Sequence, residues 1–448
     1  MIASTVQPLA QSPRPPAPSP ATVLLGPHID LHHGYHGSLR ADPPEAIEIH
    51  ARGGEHVFCF TEPVAAGDRF APFERPHLGE LIDLGPGPQV VHSPRWPVVR
   101  RRAWTVDLDD LGYPALLGRH VFGETFRDPE RDPWSERERS VAVRRFLNLM
   151  TAYAHPSCRA VFFWTREASR QAKAGAARHV PAPLAERVWA KSHVLYPAQR
   201  AIRRSLVVDK WRRPEPLRLV FVGNDHRVKQ GELALAVFER LAEELPAIRC
   251  SYAGALPDAL RARAVRTTVL GEVPRRRLLD LFGEAHVLFH PSTSESFGMA
   301  LLEAAAHGMA VVVGGGSGMR HLEEIFRPGE ACVVPRAGDG SRDREAHAFV
   351  EALRRLAIDP ERAREVALAG HRRVADGPFA PEARNAVLAE VWRSAQAEPS
   401  PPPLLPEDLP HWDPTHRWRI GSAELAGAIR DYTSEKGIDR RNFYFRAW

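Results

Sequence analysis

Two glutamates, Glu295 and Glu303, sit in the stretch His290-Pro291-Ser292-Thr293-Ser294-Glu295-Ser296-Phe297-Gly298-Met299-Ala300-Leu301-Leu302-Glu303. An apolar run, His286 to His290, reads as a buried strand, and Glu295 falls in the Pro/Ser/Thr loop that follows it. Met299 to His307 reads as a helix closed by Gly308, and Ala310 to Val313 as the next strand. Strand, helix and strand at this spacing make a βαβ unit of a parallel sheet. Glu303 has only apolar or small neighbours, among them Met299, Leu302 and Ala306, as in a buried helix. A buried carboxylate without a partner is costly. Glu303 therefore meets an Arg, a backbone amide or a ligand. The amides at the helix start favour an anion. A loop carboxylate for hydroxyls, amides for phosphate and a second carboxylate two turns on suggest a sugar-nucleotide site.

A second loop, Gly223 to Gly231, follows the strand Leu217 to Val222 and precedes a helix, Glu232 to Leu245. Gly223 lets the backbone approach a ligand, and Arg227 and Lys229 offer cations to a diphosphate. Taken alone, the segment reads equally as a solvated basic turn. Gly314-Gly315-Gly316-Ser317-Gly318-Met319 misses the G-x-G-x-x-G pattern. Met319 stands where close helix packing wants Gly or Ala, which disfavours a dinucleotide site. No H-E-x-x-H, P-loop lysine or Ser/His/Asp order is present.

Glu295 and Glu303, with Phe297-Gly298 between them, resemble the paired-glutamate motif of retaining GT-B glycosyltransferases, family 4 (group 1) in particular. The resemblance is close over Leu217 to Gln396 and loose over Thr22 to Pro197. It implies an α/β fold of two Rossmann-like domains facing across a cleft. It also implies that Glu295, Ser296, Phe297, Gly298, Met299 and Ala300 hold the donor sugar and its diphosphate, and that Glu303 holds the ribose. The family has an Arg directly after Gly223 and a Lys-Gly pair later. Here Asn224 takes the Arg place, Lys229 matches, and Gln230 intrudes before Gly231. Arg227 would supply the missing charge from within the loop, as in lipopolysaccharide-type members.

The implied reaction moves a sugar from a nucleotide-diphosphate donor to a saccharide, lipid-linked glycan or small molecule, with retention at the anomeric carbon. It needs no cofactor and no metal, because cations and amides neutralise the leaving diphosphate. On the acceptor side the family carries a His-Asp pair, and here Asp107 stands in the place of the His. Asp107, Asp109 and Asp110 follow the strand Ala103 to Val106 and read either as cleft residues or as caps of the next turn. Two rivals remain: a sugar-nucleotide epimerase or Gly-rich-loop oxidoreductase, and a non-catalytic nucleotide-sugar-binding relic.

A chain of 448 residues suggests two or three domains. The divisions read as a disordered Pro-rich tail (1–21), an acceptor-side domain (22–211), a nucleotide-sugar domain (212–398) and an aromatic-rich extension docked on the body (399–448). Net charge +5 is too mild for a nucleic-acid partner and fits anionic small substrates or peripheral contact with an anionic membrane. The four cysteines are scattered and read as free thiols in a reducing, cytoplasmic setting. No signal-peptide pattern or apolar run of membrane-spanning length is seen. His28, His32, His33 and His36 have metal-like spacing, but Pro27, Gly34 and Gly37 make the segment read as a loop rather than a metal site. Pro44 to Arg52 reads as a helix, and Arg100-Arg101-Arg102 as a solvated basic turn.

Overall fold

The computed structural model describes residues 21–27, 31, 32, 34–60, 78–109, 136–212, 216–223, 226, 229–293, 295–316, 318–335, 341–412, 417–421, 424 and 427. At 56, 58–60, 78–80, 136–142 and 417–421 the backbone alone is described. The first part runs β1 (Ala21–Leu25), α1 (Tyr35–Ala41), β2 (Ile47–Ala51), β3 (Glu55–Phe60), β4 (Leu78–Asp83), β5 (Val90–Pro94), β6 (Val98–Val99), β7 (Trp104–Leu108), α2 (Glu136–Ala154), β8 (Cys158–Phe163), α3 (Arg166–His179), α4 (Ala182–Trp189) and β9 (Ser192–Val194). The second runs α5 (Arg204–Lys210), β10 (Arg218–Val222), α6 (Gly231–Glu244), β11 (Arg249–Ala253), α7 (Asp258–Arg261), β12 (Thr267–Gly271), α8 (Arg275–Glu284), β13 (Val287–His290), α9 (Met299–Ala306), β14 (Ala310–Gly314), α10 (Leu322–Ile325), β15 (Cys332–Val334), α11 (Arg342–Ile358), α12 (Pro360–Ala375), α13 (Pro381–Ala397) and β16 (Arg417–Gly421).

Strands such as β5, β7 and β14 are buried at every residue. That is what a parallel sheet covered on both faces requires, and it is why β14 reads as a continuous apolar run. One six-stranded sheet has the order β2-β1-β5-β7-β8-β9 and the other β12-β11-β10-β13-β14-β15. Every pairing in both is parallel. In each, the strand order reverses once, beside β1 and beside β10. Doubly wound sheets bind ligands at such a reversal, outside the carboxyl ends of the strands. These are the two Rossmann-like domains of a GT-B fold, and their carboxyl ends meet across the cleft.

Two local expectations fail. Residues 44–52 contain the edge strand β2 (Ile47–Ala51) rather than a helix. Ile47 and Ile49 face in while Glu48 and His50 face out, a period of two that the flanking prolines obscure. Conversely, the His-rich segment read as a loop contains α1, with Gly34 at its N-cap. Helix α13, inside the span 212–398, packs on the first sheet: Leu388 and Trp392 are buried with Val23, Val90 and Phe162. The Arg384 guanidinium donates to Asp42 O at 2.8 Å and Ser38 Oγ at 3.1 Å.

The extension returns to the first domain as well. Leu404 and Leu409 are buried in its core, and β16 pairs antiparallel with β3 in a small sheet β16-β3-β4-β6. Deleting residues 405–448 is therefore expected to lower the melting temperature by several degrees, since it uncovers core and leaves β3 an open edge. An unchanged melting curve would sink that expectation. Beyond residue 421 only 424 and 427 are described, so most of the aromatic-rich end of the extension lies outside the described residues. Cys158 and Cys250 are buried free thiols, and Cys332 is half-buried and free. No helix among the described residues is long and apolar enough to cross a membrane.

Candidate active site

Two loops flank the strand-order reversal of the second sheet, one after β10 and one after β13. The first opens with Gly223 and brings Lys229 to the mouth of the cleft. The second leaves buried His290, passes Ser292 (0% exposed) and reaches Glu295 before α9. Gly298 makes the entry to α9 with φ +88°, and a Cβ there would lie 2.8 Å from Leu301 Cδ1. The positive φ favours glycine there, while the leucine tip could give way.

Glu295 Oε1 receives two donors. The Lys229 ammonium lies at 2.5 Å and His290 Nε2 at 2.6 Å. Burial by itself would raise the Glu295 carboxyl; Lys229 and His290 more than reverse that and hold it well below the usual range. Lys229, expected as a diphosphate contact, thus pairs with the Glu295 carboxylate. Asn224 and Arg227 lie outside the described residues.

Glu303 is 3% exposed and has a protein partner. The Arg275 guanidinium, at the start of α8, donates to both carboxylate oxygens at 2.6 Å. Burial pushes the Glu303 carboxyl up, and Arg275 opposes it. Of the three partners left open for Glu303, the Arg is the one present. The arginine is partly exposed, at 30% of its side chain, so the pair lies at the cleft rather than inside the core. Across the cleft, a Cβ on Gly34 would stand 3.0 Å from Glu303 Oε1 and 3.0 Å from Met299 Cε. Gly34, at the N-cap of α1, therefore lies against the second glutamate.

Asp107 ends up elsewhere than the cleft face expected of it. It is 1% exposed. Oδ1 takes a hydrogen bond from His36 Nε2 at 3.0 Å, and Oδ2 one from Trp164 Nε1 at 2.9 Å. His92 Nε2 also lies 3.2 Å from Oδ1, off the line of a good hydrogen bond. Burial would raise the Asp107 carboxyl; the charge and hydrogen bond of His36, then those of His92, hold it well below the usual range instead. Both oxygens are occupied, so no lone oxygen faces an acceptor.

His36, His92 and Asp107 have the makings of a metal-ligand trio, with their ligand atoms within 4.8 Å of one another. The tautomer speaks against it. The His32 amide donates to His36 Nδ1 at 2.7 Å. Nδ1 must then carry the lone pair, so Nε2 carries the hydrogen and has none to give an ion. Neither histidine was legible as a partner of Asp107, since they come from three different elements. Asp109 is likewise taken, by the Arg95 guanidinium at 2.6 and 2.7 Å. In the basic turn, Arg100 pairs with Asp83, while Arg101 is fully buried and donates to Leu84 O at 3.1 Å.

The domains touch through named contacts. Tyr35 and Trp164 share one apolar cluster with Phe297 and Met299, and Trp164 meets Phe297 edge-on at 6.3 Å. Glu324 on α10 crosses to the start of α3, accepting the Arg166 and Glu167 amides at 2.7 and 2.8 Å and the Tyr196 hydroxyl at 3.1 Å. Thr165 caps the same helix, accepting from Ala168 N at 2.9 Å. A carboxylate at a helix N-terminus is favourably placed.

Residues 207–373 match the family model described as "Glycosyl transferases group 1". A glycogen synthase of Mycobacterium tuberculosis is 28% identical over 220 residues, 46% of this chain and 51% of that protein. A D-inositol 3-phosphate glycosyltransferase of Kribbella flavida is 30% identical over 179 residues, 36% of this chain and 39% of that protein. The chain thus spans about half the length of the curated relative it matches most extensively here. Among solved structures, sucrose-phosphate synthase from Thermosynechococcus elongatus superposes with a TM-score of 0.49 at 15% identity, over 84% of this chain and 98% of that one. The matched span, 207–373, contains Lys229, Glu295 and Glu303. It is this domain, residues 207–373, that is similar to the glycosyl transferases of group 1.

Proposed function

We propose that the chain moves a glycosyl group from a nucleotide-diphosphate sugar to a hydroxyl of a saccharide, a lipid-linked glycan or a small molecule, with retention at the anomeric carbon. One observation carries this reading. At the strand-order reversal of the family-matched domain, Lys229 and His290 converge on Glu295 Oε1 beside the start of α9. No hydrogen bond among the described residues reaches Oε2, which is left for sugar hydroxyls.

On this reading the diphosphate lies against the first-turn amides of α9, which have no intrahelical partner. Lys229 shifts from Glu295 to the phosphates. Glu303 exchanges Arg275 for the ribose hydroxyls. As the bond from the anomeric carbon to the diphosphate breaks, the growing negative charge falls on Lys229 and the amides. The acceptor oxygen bonds to the anomeric carbon on the face the diphosphate leaves, and its proton passes to the departing phosphate oxygen. Asp107 takes no part as a base.

A thermal-shift screen over UDP-, GDP- and ADP-linked hexoses tests the reading. Saturation at 100 times the dissociation constant stabilises by about 2.7 kcal/mol. One nucleotide series should raise the melting temperature and be consumed when acceptors are supplied. A screen in which none does so refutes the reading, and binding without turnover makes the chain a binding relic. Turnover is expected to survive EDTA. Loss under EDTA that Mg²⁺ or Mn²⁺ restores would overturn the leaving-group account.

Glu303→Gln is expected to weaken donor binding by about 1.5–3 kcal/mol, the worth of a hydrogen bond to a charged group. Arg275→Ala separates the two uses of Glu303. If the arginine is a stand-in for ribose, this variant keeps or gains donor affinity. If calorimetry on Glu303→Gln shows unchanged affinity and only lost stability, the ribose role is gone.

A further inference from the structure

The tightest contact of Glu295 besides Lys229 comes from a residue that motif reading passes over. His290 is the last residue of β13, paired in register with Val313 of β14. Its side chain is 2% exposed, and its Nε2 lies 2.6 Å from Glu295 Oε1. Its Nδ1 is buried with no hydrogen-bond partner. A carboxylate only accepts, so Nε2 carries a hydrogen.

The two donors on Oε1 differ in kind. Lys229 reaches it on a flexible stem and keeps 22% of its side chain exposed. His290 is held by a central strand of the sheet. When Lys229 moves to a diphosphate, the histidine remains on Oε1. The carboxylate plane then stays fixed, with Oε2 aimed at the sugar.

We infer that His290 is the positioning residue of this site: through Nε2 it pins Glu295 Oε1 so that Oε2 reads the hydroxyls of the donor sugar. The inference rests on the donor-site reading above and assigns His290 to recognition of the sugar rather than of the nucleotide. That split is what the test reads. In the full chain, His290→Leu removes the donor, whereas His290→Gln replaces it with a side-chain amide N–H.

Calorimetry would compare UDP-glucose with UDP, and GDP-mannose with GDP. In His290→Leu the sugar-bearing ligand should bind about 10–100-fold more weakly, the range of one to two steps of 1.4 kcal/mol, while the bare diphosphate should stay within about twofold. His290→Gln should recover most of the loss. Equal weakening of both ligands, or of neither, overturns the inference. If no ligand binds even the unaltered chain, the donor reading fails, and the tautomer then decides by itself. With ¹⁵N-labelled histidine, the signal that disappears in His290→Gln should report a hydrogen on Nε2. A hydrogen on Nδ1 instead overturns the pinning of Glu295.

Discussion

Lys229→Ala is expected to lower kcat/KM by about 10²–10³, the cost of losing one preorganised electrostatic contact to a leaving group. The ammonium stands 2.5 Å from Glu295 Oε1, between a carboxylate and the place where a diphosphate meets α9. On the proposed reading it would serve two anions in turn. Without it, the departing diphosphate loses a cation, and Glu295 loses the largest of the influences that keep it ionised. Arg227→Ala should cost a similar or smaller factor. The double variant should fall short of the product of the two, because both cations would act on one charge. Lys173→Ala is the control. This lysine is exposed on α3, 5.8 Å above the ring of Trp189, and its loss should leave turnover intact. Steady-state kinetics with the donor found by the screen reads all four. Full activity in Lys229→Ala would falsify the placement of the diphosphate between the two loops.

Asp107→Asn should destabilise the first domain by about 3 kcal/mol or more, as breaking a buried charged network does. The carboxylate accepts from His36 and Trp164. An amide has one accepting oxygen and would turn N–H groups toward at least one of those donors. The pH dependence follows from the lowered carboxyl. A group whose folded pKa is depressed contributes stability that is fully present above its unfolded value, about 3.9 for Asp, and lost as pH falls toward the folded value. The gap between wild type and Asp107→Asn should therefore be full at pH 7 and shrink below about pH 4. Denaturant titrations at several pH values measure it. A gap that is absent at pH 7, or that widens in acid, would show that the carboxylate is not what holds His36 and Trp164. Retained turnover in whatever fraction stays folded would support a transfer step that needs no base from Asp107.

What was legible in the sequence is what short-range pattern encodes. In the second domain β13 and β14 are buried at every residue, so each shows as an apolar run, and the intervening helix shows its own period. The loop holding Glu295 and the helix holding Glu303 could be placed because both lie within one βαβ unit. Thr165 could be read as a cap because its partner, Ala168, is three residues away. The reading failed where a short-range pattern was blurred, as in β2 among its prolines and α1 between its glycines.

The rest depended on which distant residues the sheets bring together. That Glu303 must have a partner followed from its apolar neighbours. That the partner is Arg275 depends on how α8 and α9 pack. Asp107 could be placed at a strand end, but its burial under His36, His92 and Trp164 arises from α1, β5 and the end of β8 converging on it. The return of α13 to the first sheet, and the reach of Glu324 to the amides of α3, depend on two domains meeting. Such contacts carry no periodicity. A hydrogen bond between residues far apart in the chain leaves no trace in the spacing of either one, and only the folded backbone decides which buried polar groups satisfy each other.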